Sequence, residues 1–283
     1  MAGAGPEVAL RIGAAMTLLQ LGIGTTNDLV DAPHDAGRKP GKPIPGGLVS
    51  AASARAAAVL CFVAGTLLAS TVSPALGVLS LVVIAIGLAY DLRLKGTAWS
   101  WLPFAVGIPI LPVYGWLGAT GTLAPAFAAL IPAAILAGAG LAIGNSLVDV
   151  ERDEAAGRTS AAAWLGAARA GRVVVGLVGG VVLIAIGSAL VAGAGAAALA
   201  GLAAAGGVAV LSAASAPGGS PVRREWAWRL EAVAIAGMAV IWLATVRFQI
   251  NSNSRNSSFE SEPRRFSGGS KGLPAGRIAS WAS

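Results

Sequence analysis

The sequence predicts an all-α fold, a polytopic membrane bundle of about eight transmembrane helices. Hydrophobic residues make up 55% of the 283 residues and charged residues only 12%, and the mean hydropathy is +0.74. A soluble domain carries roughly 25% charged residues. The apolar residues form stretches close to the roughly 20 residues that a helix needs to cross the bilayer. None alternates like a strand, and an open sheet in lipid would leave backbone groups unpaired.

Eight stretches qualify as spans, and the abundance of Gly and Ala suits helices that pack closely in lipid. The predicted spans are residues 6–26, 53–72, 75–90, 100–118, 124–146, 172–193, 196–214 and 229–249. Together they define one transmembrane domain, residues 1–250. Residues 251–283 are rich in Ser, Asn and Gly and lack an apolar period, which predicts a disordered polar tail. Their abrupt composition also fits a readthrough or frameshifted end.

The connections between spans alternate in charge, which predicts the orientation of the chain. Those after the first, third, fifth and seventh spans carry Lys and Arg, whereas the others carry no charged residue. By the positive-inside rule the charged connections are cytoplasmic. The net charge of +7 is spread over these loops and not gathered on one soluble face, which argues against a nucleic acid partner. We predict a multi-pass protein of a bacterial-type cell membrane, with no protein partner.

Two Asn/Asp clusters open cytoplasmic loops directly at the ends of spans. Both place their members at i, i+4 and i+8, a spacing that stacks side chains along one helical face. They are Asn27, Asp31 and Asp35 in the first cluster, and Asn145, Asp149 and Asp153 in the second. Stacked carboxylates repel one another unless a cation neutralises them. Mg²⁺ suits such oxygen ligands and completes its shell with phosphate oxygens, so we expect a diphosphate between the clusters.

Basic residues beside the clusters support this interpretation, because Lys and Arg bind phosphate oxygens. Those near the first cluster are Arg38 and Lys42, Lys95 lies in the intervening loop, and Arg152 and Arg158 flank the second cluster. The alternative is that these are ordinary positive-inside anchors and that the acids belong to a solvated helix end. Two clusters in matching membrane positions favour the site.

Four strings carry a family resemblance: NDLVDAPHD, RKPGKPIPGG, YDLRLKGT and NSLVDVERD. In this order they resemble the signature loops of the UbiA-type intramembrane prenyltransferases, and the resemblance extends from Gly22 to Arg247. It implies a lateral membrane cavity with a cytoplasmic-side active site. It also implies that Mg²⁺ holds an isoprenyl diphosphate, which ionises and passes its prenyl cation to a small-molecule acceptor, often an aromatic ring.

The resemblance assigns roles to individual residues. The implied metal ligands are Asn27, Asp28, Asp31, Asp35, Asn145, Asp149 and Asp153. The expected diphosphate-binding residues are Asn27, Arg38, Lys42, Lys95, Asn145 and Arg152. The expected catalytic residues are Asp31, Asp149, Lys95 and Tyr90. Tyr90 and Asp91 occupy a position near the allylic cation or the acceptor, and the alternative role for Tyr90 is an interfacial belt aromatic.

Three features depart from the family pattern. Relatives have nine spans and carry one ahead of the NDxxD helix, which suggests either an upstream start codon or an eight-helix variant. Ser146 stands where Asp28 provides an acid in the first cluster, and Glu151 and Glu154 are expected to be solvated. Pro33 is expected to break the helix, so that Asp35 approaches the metal from a loop. His34 is expected to face water in that loop.

Other functions remain open at this point. A transporter is the main alternative of another class, but carriers place ionisable residues near the bilayer midplane, and we expect none in the middle of any span. The same ionisation also fits a sugar-phosphate or glycerol-phosphate acceptor, or cyclisation of the prenyl chain. The aromatic residues of the fourth span either line a dry chamber for the cation or contact lipid. They are Trp99, Trp101, Phe104, Tyr114 and Trp116.

Overall fold

The computed structural model describes residues 4–37, 41–155 and 157–260, with residues 246–260 described by their backbone alone. All regular structure in these ranges is helical. The helices are α1 Pro6–Asp35, α2 Ala51–Ser70, α3 Pro74–Ala89, α4 Leu102–Thr120, α5 Phe127–Val148, α6 Val150–Ala155, α7 Ala161–Leu165, α8 Ala167–Val191, α9 Ala196–Ser215 and α10 Pro221–Glu260. A π-helical turn, Tyr90–Leu94, continues α3.

Eight helical segments of the described chain are long and apolar enough to cross a membrane, which confirms the predicted fold class and the number of spans. The chain is an integral membrane protein. Helix α3 begins at Pro74, and the side chain of the preceding residue, Ser73, accepts a hydrogen bond from the Leu76 amide. This is a favoured N-terminal arrangement, because proline needs no hydrogen bond at the first helical position.

The expected helix break at Pro33 is wrong. Helix α1 continues through Pro33 to Asp35 and ends with the Ala36 amide donating to the Ala32 carbonyl at 3.1 Å. Proline removes one intrahelical hydrogen bond, and in the last turn of a helix few further bonds depend on it. Consequently Asp35 is presented by the same helix as Asn27 and Asp31. His34 is exposed as expected, but on a helix and not in a loop.

The helices pack through small residues. Helix α1 contacts α2, α3 and α4, while α5 contacts α4, α8 and α10, and α9 contacts both α8 and α10. A Cβ atom built on Gly138 of α5 would lie 2.3 Å from the Phe104 carbonyl oxygen of α4. No side chain fits there, so glycine permits the close approach of these two backbones.

The expectation that no titratable residue lies in the middle of a span is also wrong. Glu231 lies well inside the span Pro221–Thr245 and is only 2% exposed. The apolar stretch used for prediction began at residue 229, which put Glu231 at an apparent end, whereas the helix begins eight residues earlier. Tyr114 likewise belongs to the packed interior, where its hydroxyl lies 2.9 Å from the Ser80 hydroxyl.

The boundary of the predicted tail stays a prediction. Helix α10 runs to Glu260, so the predicted boundary at residue 251 falls inside that helix. The remainder of the predicted tail, residues 261–283, lies outside the described residues.

Candidate active site

The first cluster lies on the last turns of α1 and is held by contacts to other parts of the chain. The Asn27 amide nitrogen donates to the Asp91 carboxylate at 2.7 Å. The Lys95 ammonium donates to both carboxylate oxygens of Asp31, at 2.7 and 2.8 Å. Because the amide nitrogen of Asn27 is used by Asp91, its amide oxygen is the atom that a cation would bind.

Lys42 bridges the carboxylates of the first cluster. Its ammonium lies 2.7 Å from Asp28, 2.9 Å from Asp35 and 4.0 Å from Asp31. These three acids share one face of α1, and a single cation reduces their mutual repulsion. Hydrogen bonds to Asp28 and Asp35 raise the pKa of Lys42 above its ordinary value. Lys42 and Lys95 together therefore supply the positive charge that this carboxylate group requires.

The π-helical turn after α3 joins the first cluster to the rest of the site. The turn closes with the Lys95 amide donating to the Tyr90 carbonyl at 2.9 Å. Insertion of a π turn changes the direction of side chains along a helix, and such turns are frequent at functional sites. Here Asp91 contacts Asn27, and Lys95, directly after the turn, contacts Asp31. Gly96 follows with a φ of +72°, which favours glycine, and its carbonyl accepts from the Thr159 amide.

The second cluster is not the regular helical face that the spacing suggests. Helix α5 ends at Val148 and α6 begins at Val150, and Asp149 lies between them with φ −104° and ψ 11°. The Asp153 amide still donates to the Asp149 carbonyl at 2.9 Å, so the turn is retained across the break. Asn145 is therefore presented by α5, Asp149 by the break and Asp153 by α6.

A polar cavity of about 170 Å³ brings the second cluster together with the π turn. Its charged and amide-bearing lining residues are Lys95, Asn145, Asp149, Asp153 and Arg158. The lining also includes Tyr90, Ser100, Phe104, Ser146 and Ser160. Lys95 thus lines the cavity of the second cluster while its ammonium contacts Asp31 of the first. The two clusters therefore meet at this lysine, although Asn27 and Asn145 are 118 residues apart in the sequence.

An apolar cavity of about 190 Å³ adjoins the polar one. Tyr90 and Phe104 line both cavities, and their rings pack edge to face with centroids 5.2 Å apart. The other walls come from Gln20 of α1 and from aliphatic and small residues of α1, α3 and α4. They include Ile23, Val83, Ile86, Gly87, Pro103, Gly107, Ile108 and Leu111. Tyr90 and Phe104 therefore form the boundary between a charged chamber and a hydrocarbon-like one.

The predicted residues fall into different environments. The side chain of Arg152 is 84% exposed and pairs with Asp149 at 2.7 Å, and it is not among the lining residues of the polar cavity. Arg38 lies outside the described residues. Ser146 donates to the Ile143 carbonyl and accepts from the Ala162 amide, so its hydroxyl holds α7 against α5. Glu151 and Glu154 are both exposed as expected, and Glu151 also pairs with Arg224.

Sequence reasoning named Arg158 as one of the basic residues beside the clusters and placed Asp91 beside Tyr90, but it predicted neither residue's contacts, and it missed two serines. Arg158 lines the polar cavity and lies over Gly96, and its charge beside the second cluster was the available signal. Asp91 holds Asn27, which the YDxxxK string indicates only once the π turn is known. Ser100 and Ser160 also line the cavity, and neither stands out in the sequence.

No three Asp, Glu, His or Cys side chains of the described chain converge on one point as a metal site built from protein alone. The cavity is lined by the carboxylates of Asp149 and Asp153, the amide of Asn145 and two basic residues, and Lys95 adds its contact to Asp31. Such a set suits a hard divalent cation that takes only one or two carboxylates and shares the remaining positions with water and a phosphate ligand.

Comparison with known proteins identifies the arrangement. The sequence model described as the UbiA prenyltransferase family matches residues 2–224. No curated protein sequence matches the chain.

Solved structures share the fold at low sequence identity. A structure of digeranylgeranylglyceryl phosphate synthase has a TM-score of 0.71 at 13% identity and covers 86% of this chain and 87% of its own. The apo UbiA homologue from Aeropyrum pernix K1 has a TM-score of 0.70 at 20% identity, covering 85% and 90%. The UbiA homologue from Archaeoglobus fulgidus, bound to GPP and Mg²⁺, has a TM-score of 0.65 at 18% identity, covering 86% and 90%.

Proposed function

The chain belongs to the UbiA prenyltransferase family, and we propose that it transfers a prenyl group from an isoprenyl diphosphate to a lipophilic acceptor within the membrane. The reaction breaks the bond between the allylic carbon and the diphosphate oxygen, releases diphosphate and forms a bond from that carbon to the acceptor, which loses a proton. The Archaeoglobus fulgidus homologue is described with GPP and with DMAPP, each together with Mg²⁺, and we extend that ligand class to this chain.

The observation that carries the proposal is the meeting of the two Asn/Asp clusters at Lys95, next to an apolar cavity. A diphosphate needs cations on several sides, whereas a prenyl chain needs apolar walls. Within the described part of the chain, the polar cavity and the apolar cavity share two lining residues, Tyr90 and Phe104. A prenyl diphosphate that spans this boundary has its reactive carbon beside those two rings.

The donor set fits Mg²⁺. When bound, Mg²⁺ supplies positive charge to the diphosphate oxygens, where negative charge develops as the leaving group departs. The residues proposed to hold it are Asn27, Asp28, Asp31 and Asp35 from α1, and Asn145, Asp149 and Asp153 from the second cluster. Asn27 is oriented for this by Asp91, which fixes the amide nitrogen at 2.7 Å.

The basic residues are proposed to act on the diphosphate directly. Lys95 and Lys42 now contact carboxylates, and each has an ammonium with three donors, so both are able to exchange a carboxylate for a phosphate oxygen. Arg158 faces the same cavity with a guanidinium that matches two phosphate oxygens at once. We assign Arg158 the role predicted for Arg152, because Arg152 is exposed and bound to Asp149. Arg38 keeps its predicted role as a proposal.

Tyr90 and Phe104 are proposed to stabilise the allylic cation. Their rings touch both cavities, and the π face of an aromatic ring attracts a cation, more strongly where water is excluded. The apolar walls formed by α1, α3 and α4 exclude water from the reacting carbon and so protect the cation from hydrolysis. The acceptor class is left to experiment: an aromatic ring and a glycerol phosphate are both compatible with these cavities.

A direct assay tests the proposal. The protein in lipid nanodiscs is incubated with labelled geranyl, farnesyl and geranylgeranyl diphosphates and a panel of aromatic and polyol-phosphate acceptors, with Mg²⁺ or with EDTA. We expect diphosphate release only with Mg²⁺ and a prenylated lipid detectable by mass spectrometry. Release without Mg²⁺, or transport of a solute across the bilayer with no diphosphate release from any donor, would contradict the proposal.

A further inference from the structure

We infer that Arg224, which lies outside both Asn/Asp clusters, is a positioning residue that sets the geometry of the second cluster. The inference rests on the function proposed above and extends the site to helix α10. Arg224 is in the first turn of α10 and is only 4% exposed. Its Nη1 donates to the Leu147 carbonyl oxygen at 2.8 Å, and its Nη2 donates to the Glu151 carboxylate.

These two contacts lie on opposite sides of the helix break. Leu147 is in the last turn of α5, whose final carbonyls have no partner within the helix. Glu151 is in the first turn of α6. The guanidinium presents its donors in a rigid planar fork. One side chain therefore ties the end of α5 to the start of α6 and fixes the angle between them at Asp149.

That angle determines where the second cluster points. Asn145 is carried by α5 and Asp153 by α6, so a change at the break moves one relative to the other. Both residues line the polar cavity, together with Asp149 itself. The site thus depends on a residue that touches neither cavity nor ligand, and Arg224 acts on the cluster through the backbone of Leu147 and the side chain of Glu151.

Helix α10 has a second polar contact to α5 on the same face. One turn after Arg224, the Trp228 indole nitrogen donates to the Leu141 carbonyl at 2.9 Å. Glu231 follows on this face, and a Cβ atom on Gly144 would lie 3.7 Å from its Oε2 and 3.2 Å from the Trp228 ring. The hydrogen bonds from Arg224 and Trp228 thus both hold the end of α5 that carries Asn145.

The neighbouring Arg223 provides a matched control. It has the same charge, is exposed and makes no contact with α5 or α6 among those described. Arg224→Lys keeps the charge, but a single ammonium reaches the two acceptors less well than a planar fork does. Glu151→Gln keeps an acceptor for Nη2 and removes the charge. Together with Arg224→Gln and the control Arg223→Gln, these two variants separate the effect of geometry from the effect of net charge.

The experiment measures Mn²⁺ binding to the full-length protein in nanodiscs by EPR, in the presence of inorganic pyrophosphate. Substitution of a residue that contacts and orients a metal ligand typically lowers metal affinity by about 10- to 100-fold. We therefore expect about a tenfold or greater loss for Arg224→Gln, a smaller loss of about threefold for Arg224→Lys and for Glu151→Gln, and no change for Arg223→Gln. Circular dichroism and thermal unfolding report whether each variant is folded.

The outcomes are distinguishable. If Arg224→Gln folds and binds Mn²⁺ with the same affinity as Arg223→Gln, the positioning role is overturned. If Arg224→Gln does not fold, the comparison of Arg224→Lys and Glu151→Gln with Arg223→Gln decides, and unchanged affinity in both would overturn the role as well. Failure of the unmodified protein to bind Mn²⁺ with pyrophosphate would instead contradict the proposed function itself, and the inference with it.

Discussion

The two Asn/Asp clusters share one sequence spacing but are supported in different ways. The first lies on an unbroken helix, and its carboxylates pair with Lys42 and Lys95, which themselves face the site. The second lies across a helix break that Arg224 contacts on both sides, at Leu147 and Glu151, and Arg224 is not among the lining residues of the polar cavity. In the first cluster the stabilising cations are proposed substrate ligands, whereas in the second the stabilising cation is part of the scaffold. Equal spacing therefore does not imply equal sensitivity to substitution.

The largest expected effect is common to both clusters. Asp31→Asn and Asp149→Asn each keep the size of the side chain and remove the charge that a divalent cation requires. We expect each to lower the rate of diphosphate release by about 100-fold or more, because charge stabilisation at the departing group is the main contribution to the rate. Release of labelled diphosphate measures this.

Glu154→Gln is the control for both substitutions. Glu154 is an exposed acid in α6, close in sequence to Asp149, and does not line the polar cavity. Its activity should equal that of the unmodified protein. A loss in Glu154→Gln as large as that in Asp149→Asn would indicate a general effect of charge at this end of the bundle.

The next effect separates the two lysines of the first cluster. Lys95 contacts Asp31 and lines the cavity of the second cluster, whereas the described contacts of the Lys42 ammonium are to carboxylates of α1. We expect Lys95→Met to lower turnover by about 10- to 100-fold and Lys42→Met by less than about tenfold. Steady-state kinetics with geranyl diphosphate measures both. The reverse order would show that Lys95 does not join the clusters.

A smaller effect tests the boundary between the cavities. Tyr90→Phe keeps the ring that packs on Phe104, whereas Tyr90→Ala removes it. If the ring stabilises the cation, Tyr90→Phe retains turnover within about threefold and Tyr90→Ala loses about tenfold or more, since a desolvated cation–π contact contributes about 2 kcal/mol. Measurement of kcat for both variants decides this. Equal losses in the two variants would point to the hydroxyl group instead.

The smallest expected effect is the pH dependence of the stability that the Lys42 and Glu151 ion pairs contribute. The pKa of Lys42 is raised by Asp28 and Asp35, so its stabilising contribution is present throughout neutral pH and is lost only as the pH rises through that elevated pKa. The pKa of Glu151 is lowered by the hydrogen bond from Arg224, so its contribution is present above the ordinary value of 4.5 and is lost as the pH falls through the lowered pKa.

Thermal unfolding of Lys42→Met and Glu151→Gln between pH 4 and pH 9 measures these contributions. The difference in Tm from the unmodified protein should be constant for both variants between pH 6 and pH 9. For Glu151→Gln it should be small, about 2 °C, because the carboxylate is partly exposed, and it should shrink below pH 4.5. A Tm difference for Lys42→Met that disappears between pH 6 and pH 9 would contradict the assigned ion pairs.

The hydropathy pattern predicted the fold class and the number of spans, because membrane helices must satisfy their backbone internally and must be apolar along their length. It placed the end of the first span at residue 26, and Pro33 led to the expectation that the helix breaks before Asp35. The helix continues because its polar face meets Lys42, Lys95 and Asp91, which come from elsewhere in the chain. Local sequence does not contain those partners.

The same reasoning explains which site residues were predicted. The clusters and Lys95 are visible as charges beside membrane spans, and their spacing indicates a shared ligand. Arg224 and Trp228 are not visible in this way, because their contacts are to α5, more than 70 residues earlier in the chain. The exchange of Arg152 for Arg158 has a similar cause: the break at Asp149 decides which arginine faces the cavity.

The central claim, that the two clusters form one site, is tested most directly by a double-mutant cycle on diphosphate release. The rates of Asp31→Asn, Asp149→Asn and the double variant are compared with that of the unmodified protein under saturating Mg²⁺. Residues that act as one unit are strongly non-additive. We predict that the rate of the double variant lies within about threefold of the rate of the slower single variant. Losses that multiply, so that the double variant is slower by the product of the two single effects, would contradict the claim.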